Sequence, residues 1–196
     1  MRNIVRIILV VLALFVAFVQ TRPNTYRVER SARIGAPSEA VFAQINDFHN
    51  WPAWSPWDKL DPAMKTTFAG PASGVGALYS WTGNSKVGEG SMKITGSAPG
   101  SQVVIDLEFL KPFKDSSITT FSLAREGDGT RVSWAVEGRM NFIAKAMCVF
   151  TSMDKMMGGD FERGLTALKA VAESAPAAGT TAAADTAVAP AGKAAK

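Results

Sequence analysis

The sequence has one cysteine, one histidine and two tyrosines in 196 residues. A single thiol, Cys148, cannot form an intramolecular disulfide, so the chain is no disulfide scaffold and its redox compartment stays open. His49 and Cys148 alone cannot build a zinc site of several His and Cys ligands. No metal or other cofactor is expected. The shortage of histidine also removes most acid–base chemistry near neutral pH. Any catalysis would fall to carboxylates, tyrosine, lysine or bound water. Charge is sparse too, at 19% of residues, with a formal net charge of +4. Its excess lies at the ends, on Arg2, Arg6, Arg22, Lys193 and Lys196, and the segment from Pro23 to Glu173 carries equal numbers of each sign. That balance argues against nucleic acid as a partner, because nucleic-acid binding needs a concentrated basic surface.

One thing the chain does have is a long apolar run, in MRNIVRIILVVLALFVAFVQTRP, where every residue from Ile7 to Val19 is apolar. A membrane-spanning helix needs about 20 such residues, with roughly 17 as the lower limit. Ile4 to Gln20 reaches that limit if Arg6 snorkels to the interface. Ile4, Ile7, Leu9, Leu12, Phe15 and Phe18 would then face lipid. The competing reading is a cleaved signal peptide, but Ala17-Phe18-Val19 is a poor match to the small-x-small pattern that cleavage needs. Residues 1–22 are therefore expected to be a single-pass membrane anchor. The short basic tail before it favours an exported, extracytoplasmic domain, while Arg22, Arg27, Arg30 and Arg33 pull the other way. At the other end, residues 174–196 are rich in alanine, broken by Pro176, Gly179, Pro190 and Gly192, and carry no apolar stripe. The expectation there is a disordered tail. Residues 23–173 remain as one folded domain.

Within that domain Tyr26, Val28, Ala32 and Ile34 fall on one face of a strand, with Arg30 breaking the alternation. Gly35 to Glu39 reads as a turn into a short helix with Val41, Phe42 and Ile45 at helical spacing. Six strand-like runs follow: Met64–Ala69, Val75–Thr82, Lys86–Thr95, Gln102–Leu110, Ser117–Ala124 and Thr130–Gly138. The short turns between them (Gly83-Asn84, Pro99-Gly100, Gly127-Asp128-Gly129) imply an antiparallel meander. A single helix is expected from Asn141 to Ala172. Phe150, Met153, Met157, Phe161, Leu165, Leu168 and Ala172 form its apolar stripe. Gly158-Gly159 in its middle predicts a kink or the close approach of a bulky group. A long helix on a curved antiparallel sheet is an α+β architecture, and the methionines suit an irregular gap between the two layers.

Between the short helix and the meander lies FHNWPAWSPWDKLDP, in which Trp51, Trp54 and Trp57 recur every third residue among prolines. Two readings compete: an aromatic latch that seals the core, and the lip of a pocket. With GAPSEAVFAQINDFHNWPAWSPW, the WTGN turn, GEGSMKIT, LEFLKPF and MMGGDFERGLTALK, the chain resembles the polyketide cyclase/dehydrase branch of the START-like (SRPBCC) superfamily of helix-grip domains. The likeness runs from about Tyr26 to Ala172. It implies a seven-stranded sheet gripping the C-terminal helix, an apolar cavity between them, and a tryptophan segment crossing the cavity mouth. Trp54, Tyr79, Trp81, Phe109, Phe121, Trp134, Met153, Met157 and Phe161 are then the candidate ligand-binding residues. Tyr79, Glu89 and His49 are the candidate proton carriers. Three functions are compatible with these residues. The first is a membrane-tethered binder of a lipid or other apolar small molecule, which needs no catalytic group. The second is a cyclase/dehydratase-like or hydrolytic enzyme. The third is a protein-interaction module whose interior is filled by its own side chains. The first is favoured, because the chain has neither a triad nor a metal cluster.

Overall fold

Seven strands pair antiparallel throughout, in the order β1-β7-β6-β5-β4-β3-β2. They are β1 (Thr25–Ile34), β2 (Lys65–Ala69), β3 (Leu78–Thr82), β4 (Glu89–Ala98), β5 (Gln102–Lys111), β6 (Asp115–Glu126) and β7 (Gly129–Arg139). The helices are α1 (Arg2–Gln20), α2 (Ser38–Ile45), α3 (Phe142–Met147) and α4 (Met153–Ser174). This is a computed structural model that describes residues 1–174; the Ala/Pro-rich segment from Ala175 onward, where the sequence predicts a tail, lies outside the described residues. Alternation drives the sheet: in β6, Ser117, Thr119, Phe121 and Leu123 are buried, while Ser116, Ile118 and Ser122 are exposed. The register of β4 on β5 shifts at Glu89/Gly90 and again at Ile94/Gly96. Such bulges bend a strand and increase its twist, and they help curve the sheet around α4.

Two features of the long helix differ from the sequence-based expectation. The run from Asn141 to Ala172 is two helices, because two side chains each start one. Asn141 Oδ1 accepts from Ala144 N (2.9 Å) at the head of α3, and Ser152 Oγ accepts from Lys155 N (3.1 Å) at the head of α4. Both are N-caps of the preferred residue types. Phe150 therefore leaves the apolar stripe and stands 84% exposed between the helices. The second difference concerns Gly158-Gly159. Helix α4 runs unbroken through them, and the missing side chain of Gly158 makes room for the Arg30 guanidinium. That contact also explains why Arg30 breaks the alternation of β1. It faces α4, where it donates to both carboxylate oxygens of Asp154 (2.7 and 3.0 Å) and to Glu162 (2.8 Å).

The core cluster begins at Val28 and ends at Ala172, and α1 buries only Val19. A chain beginning at Pro23 thus keeps every residue of that cluster. Because all neighbours are antiparallel, the starts of β1, β2, β4 and β6 and the ends of β3, β5 and β7 share one end of the sheet. Helix α1 enters at that end, touches α3 there, and α4 begins there. At the opposite end α2 and the last turns of α4 close the fold, with Ile34, Val41, Ile45, Ile94, Val103 and Leu168 fully buried.

Candidate functional site

The tryptophan segment does two jobs. The last four carbonyls of a helix have no partner within it, and in α2 all four are satisfied from outside the helix. Asn46 N donates to Phe42 O (2.8 Å), Asn50 Nδ2 to Ala43 O (3.0 Å), Trp54 Nε1 to Gln44 O (3.2 Å) and Trp51 Nε1 to Ile45 O (3.0 Å). Trp51 and Trp54 thus latch the segment to α2, their rings 4.7 Å apart. Trp57 continues beyond the latch and turns its ring edge-on to Trp134 at 5.7 Å. Asp61 then ties the segment to the β3–β4 turn, accepting from Asn84 N at 2.6 Å.

Beyond Trp57, between α4 and the concave face of the sheet, lies a cavity of about 420 Å³. Its volume is in the ordinary range for a small-molecule site, about 300–1,000 Å³. Of the residues singled out in the sequence, Tyr79, Trp81, Phe109, Trp134, Met153, Met157 and Phe161 line it. Phe161 stacks flat on Trp134, with centroids 4.5 Å apart and planes 2° apart. Trp81 lies across β4, where Gly90 has no side chain to obstruct it, and its Nε1 donates to Val87 O (2.9 Å). Trp54 and Phe121 take a different place. Both are fully buried in the layer behind the wall, Phe121 edge-on to Trp51 and Trp54 and tilted on Trp134. Their side chains support the wall and do not face the cavity.

The residues missed in the sequence are mostly polar. Tyr26, Asp58, Asp115, Ser117 and Thr119 line the cavity, along with Met64, Met92 and Leu107. The parity of β6 is the signal that could have found three of them, since Asp115, Ser117 and Thr119 share the face of Phe121. Tyr26 arrives by a route visible only in three dimensions. It pairs with Gly138 of β7, where a Cβ would stand 2.6 Å from its ring. The ring therefore crosses β7 and brings its hydroxyl to Ser117 and Asp115 of β6.

The three candidate proton carriers are dispersed. His49 Nδ1 meets Asp47 Oδ1 (2.7 Å) and its ring stacks on Phe68 at 4.1 Å, in a groove with Phe48 and Leu78. Glu89 pairs with Lys111 (2.7 Å) outside the cavity. Tyr79 alone of the three reaches the cavity. Burial, with a lesser push from the Asp58 charge, drives its phenol well above the usual tyrosine range. Tyr26 is raised by burial first and Asp115 second, against a smaller opposing effect of the Ser117 hydroxyl. Both phenols therefore stay protonated at neutral pH.

These two are the only tyrosines in the chain. Above about pH 10 the unfolded chain loses phenol protons that the folded one keeps, so stability falls as pH rises from there. Folded protein is expected to show no phenolate absorbance through about pH 10, both rings ionising when the fold opens. A phenolate step centred near 10 in folded protein would contradict burial of one ring.

Comparison with known proteins agrees with this geometry. The family model described as polyketide cyclase / dehydrase and lipid transport matches residues 25–173. No curated protein matches the chain in sequence. Among solved structures, a protein from Chromobacterium violaceum superposes with a TM-score of 0.52 at 20% identity, covering 78% of this chain and 99% of that one. A protein from Rhizobium leguminosarum gives 0.56 at 13% identity, over 76% and 95% of the two chains. The major latex-like protein of Panax ginseng gives 0.54 at 10% identity, over 76% and 97%. At such identities the likeness is one of fold.

Proposed function

The chain belongs to the polyketide cyclase/dehydrase and lipid transport family, and on that premise we propose that it is a membrane-tethered binder of a lipid-like or other apolar small molecule. One observation carries this reading: the space between α4 and the sheet is an aromatic- and methionine-walled cavity in the half of the domain next to α1. At the opposite end Ile34, Val41, Ile45, Ile94, Val103 and Leu168 are fully buried, so the interior is not uniformly loose. Methionine from α4 (Met153, Met156, Met157) gives one wall that adapts to different shapes.

The tether is α1, the one helix among the described residues long and apolar enough to cross a membrane. Lys86 and Met156, both exposed, mark the cavity mouth at the same end of the sheet. Around that end Leu110, Phe113, Phe142, Ile143 and Phe150 stand exposed. A patch of large apolar side chains beside a membrane helix suits contact with the bilayer surface, and it would set the mouth against the source of an apolar ligand. The enzymatic reading of the same cavity finds only Tyr79 of the three proposed proton carriers at the wall.

The test is to wash membranes with carbonate, release the full-length protein into mild detergent and record its native mass. The expected result is retention in the pellet and one apolar small molecule bound per chain. Recovery in soluble form starting after Val19 would show cleavage in place of tethering. A bare protein mass under every mild condition would refute the binding role.

A further inference from the structure

We propose that the α1 end of the cavity is a headgroup subsite, in which Asp115 and Tyr26 receive the protonated nitrogen of a long-chain amine. The inference deepens the binding function proposed above and rests on it.

Tyr26, Asp115, Ser117 and Thr119 converge from β1 and β6 into one polar group on a mostly apolar wall, whose other polar residues are Ser55, Asp58, Tyr79, Lys86 and Asp160. Ser117 and Thr119 point inward from the buried face of β6, and Asp115 continues that face at its first residue. Phe109 is the cross-strand partner of Asp115, so the carboxylate has an aromatic ring at its side. Gly138 is what allows the Tyr26 ring to reach this group, because any side chain there would displace it.

The charges around the site favour a cation. Among the described residues no Lys, Arg or His forms an ion pair with Asp115. Asp160, also at the wall, is already held by Arg163. Asp58 lies near Tyr79. Among the described residues Lys86 is the only basic one at the wall, and it is exposed in the β3–β4 turn. Glu108, Lys114 and Arg139 line an adjoining groove that shares Asp115 and Phe109 with the cavity wall. Burial nonetheless raises the Asp115 carboxyl above the usual range, so those bases do not offset its desolvation. An incoming ammonium does offset it, through a charge-assisted hydrogen bond. A fatty-acid carboxylate in the same place would meet the like charge of Asp115, which disfavours it.

The test uses the chain beginning at Pro23, which retains the whole core cluster from Val28 to Ala172, titrated at neutral pH with dodecylamine, dodecanol and dodecanoate and followed by tryptophan emission. The amine is expected to bind tightest, about tenfold or more above the carboxylate, with the alcohol between them. Asp115→Asn is expected to remove the amine's advantage over the alcohol, and Tyr26→Phe to weaken both. The ranking on the unaltered chain needs no variant, so a poorly folding Asp115→Asn protein still leaves the proposal open to refutation. One-to-one binding with equal affinities, or with the carboxylate tightest, would overturn the subsite while leaving the cavity reading intact. Failure of all three to bind would overturn the cavity reading and the subsite with it.

Discussion

Replacing Phe121 with alanine is expected to lower the unfolding free energy by about 3–5 kcal/mol, the usual cost of truncating a buried aromatic. Phe121 is 0% exposed and sits behind the cavity wall, braced edge-on by Trp51 and Trp54 at 6.0 and 6.1 Å and tilted on Trp134 at 4.8 Å. Trp51 and Trp54 cannot slide into the vacated space without releasing the α2 carbonyls they bond. The site therefore collapses little, and the penalty falls at the high end for its type. Urea unfolding of the chain beginning at Pro23, at unchanged slope, measures it. A loss under about 1 kcal/mol would mean that this layer is loosely packed.

At the wall itself the outcome should be the opposite. Met157→Trp is expected to reduce affinity for a neutral apolar dye by about tenfold or more while costing less than about 1 kcal/mol of stability. In a close-packed interior the same enlargement costs about 1–3 kcal/mol. Met157 lines the cavity from the second turn of α4, as Trp81 and Trp134 do from the sheet. A larger ring there occupies volume that a ligand would otherwise take. Dye titration and urea unfolding of the same preparation separate the two effects. Unchanged dye affinity with a clear loss of stability would place Met157 in solid core and favour an interaction module with a filled interior.

The contrast between these two positions shows what the sequence could and could not reveal. Helix periodicity places Met157 and Phe161 on one apolar stripe, and the family resemblance sets Phe121 and Trp134 beside them and implies a cavity. Periodicity assigns a face, but it does not say how far along a strand the packed core ends and the cavity begins. Phe121 and Thr119 share a face of β6 two residues apart, yet only Thr119 borders the void. The break between α3 and α4 was hidden for a related reason: Cys148–Ser152 contains no proline or glycine, and the caps Asn141 and Ser152 are common surface residues. Arg30 looked like a defect in β1 because its partners Asp154 and Glu162 lie more than a hundred residues away. Tyr26 joined the site only through the absence of a side chain at Gly138, on a different strand. Long-range contacts of this sort leave no local pattern to read.

A soak of crystals of the domain with a terminally brominated long-chain alkane tests the cavity most directly, because anomalous scattering locates the bromine without assumptions about affinity or spectra. The account predicts a bromine peak between α4 and the sheet, within van der Waals contact of Met157, Trp81 or Phe109. Bromine confined to the protein surface, with side chains filling the space between Met157 and Trp81, would contradict it.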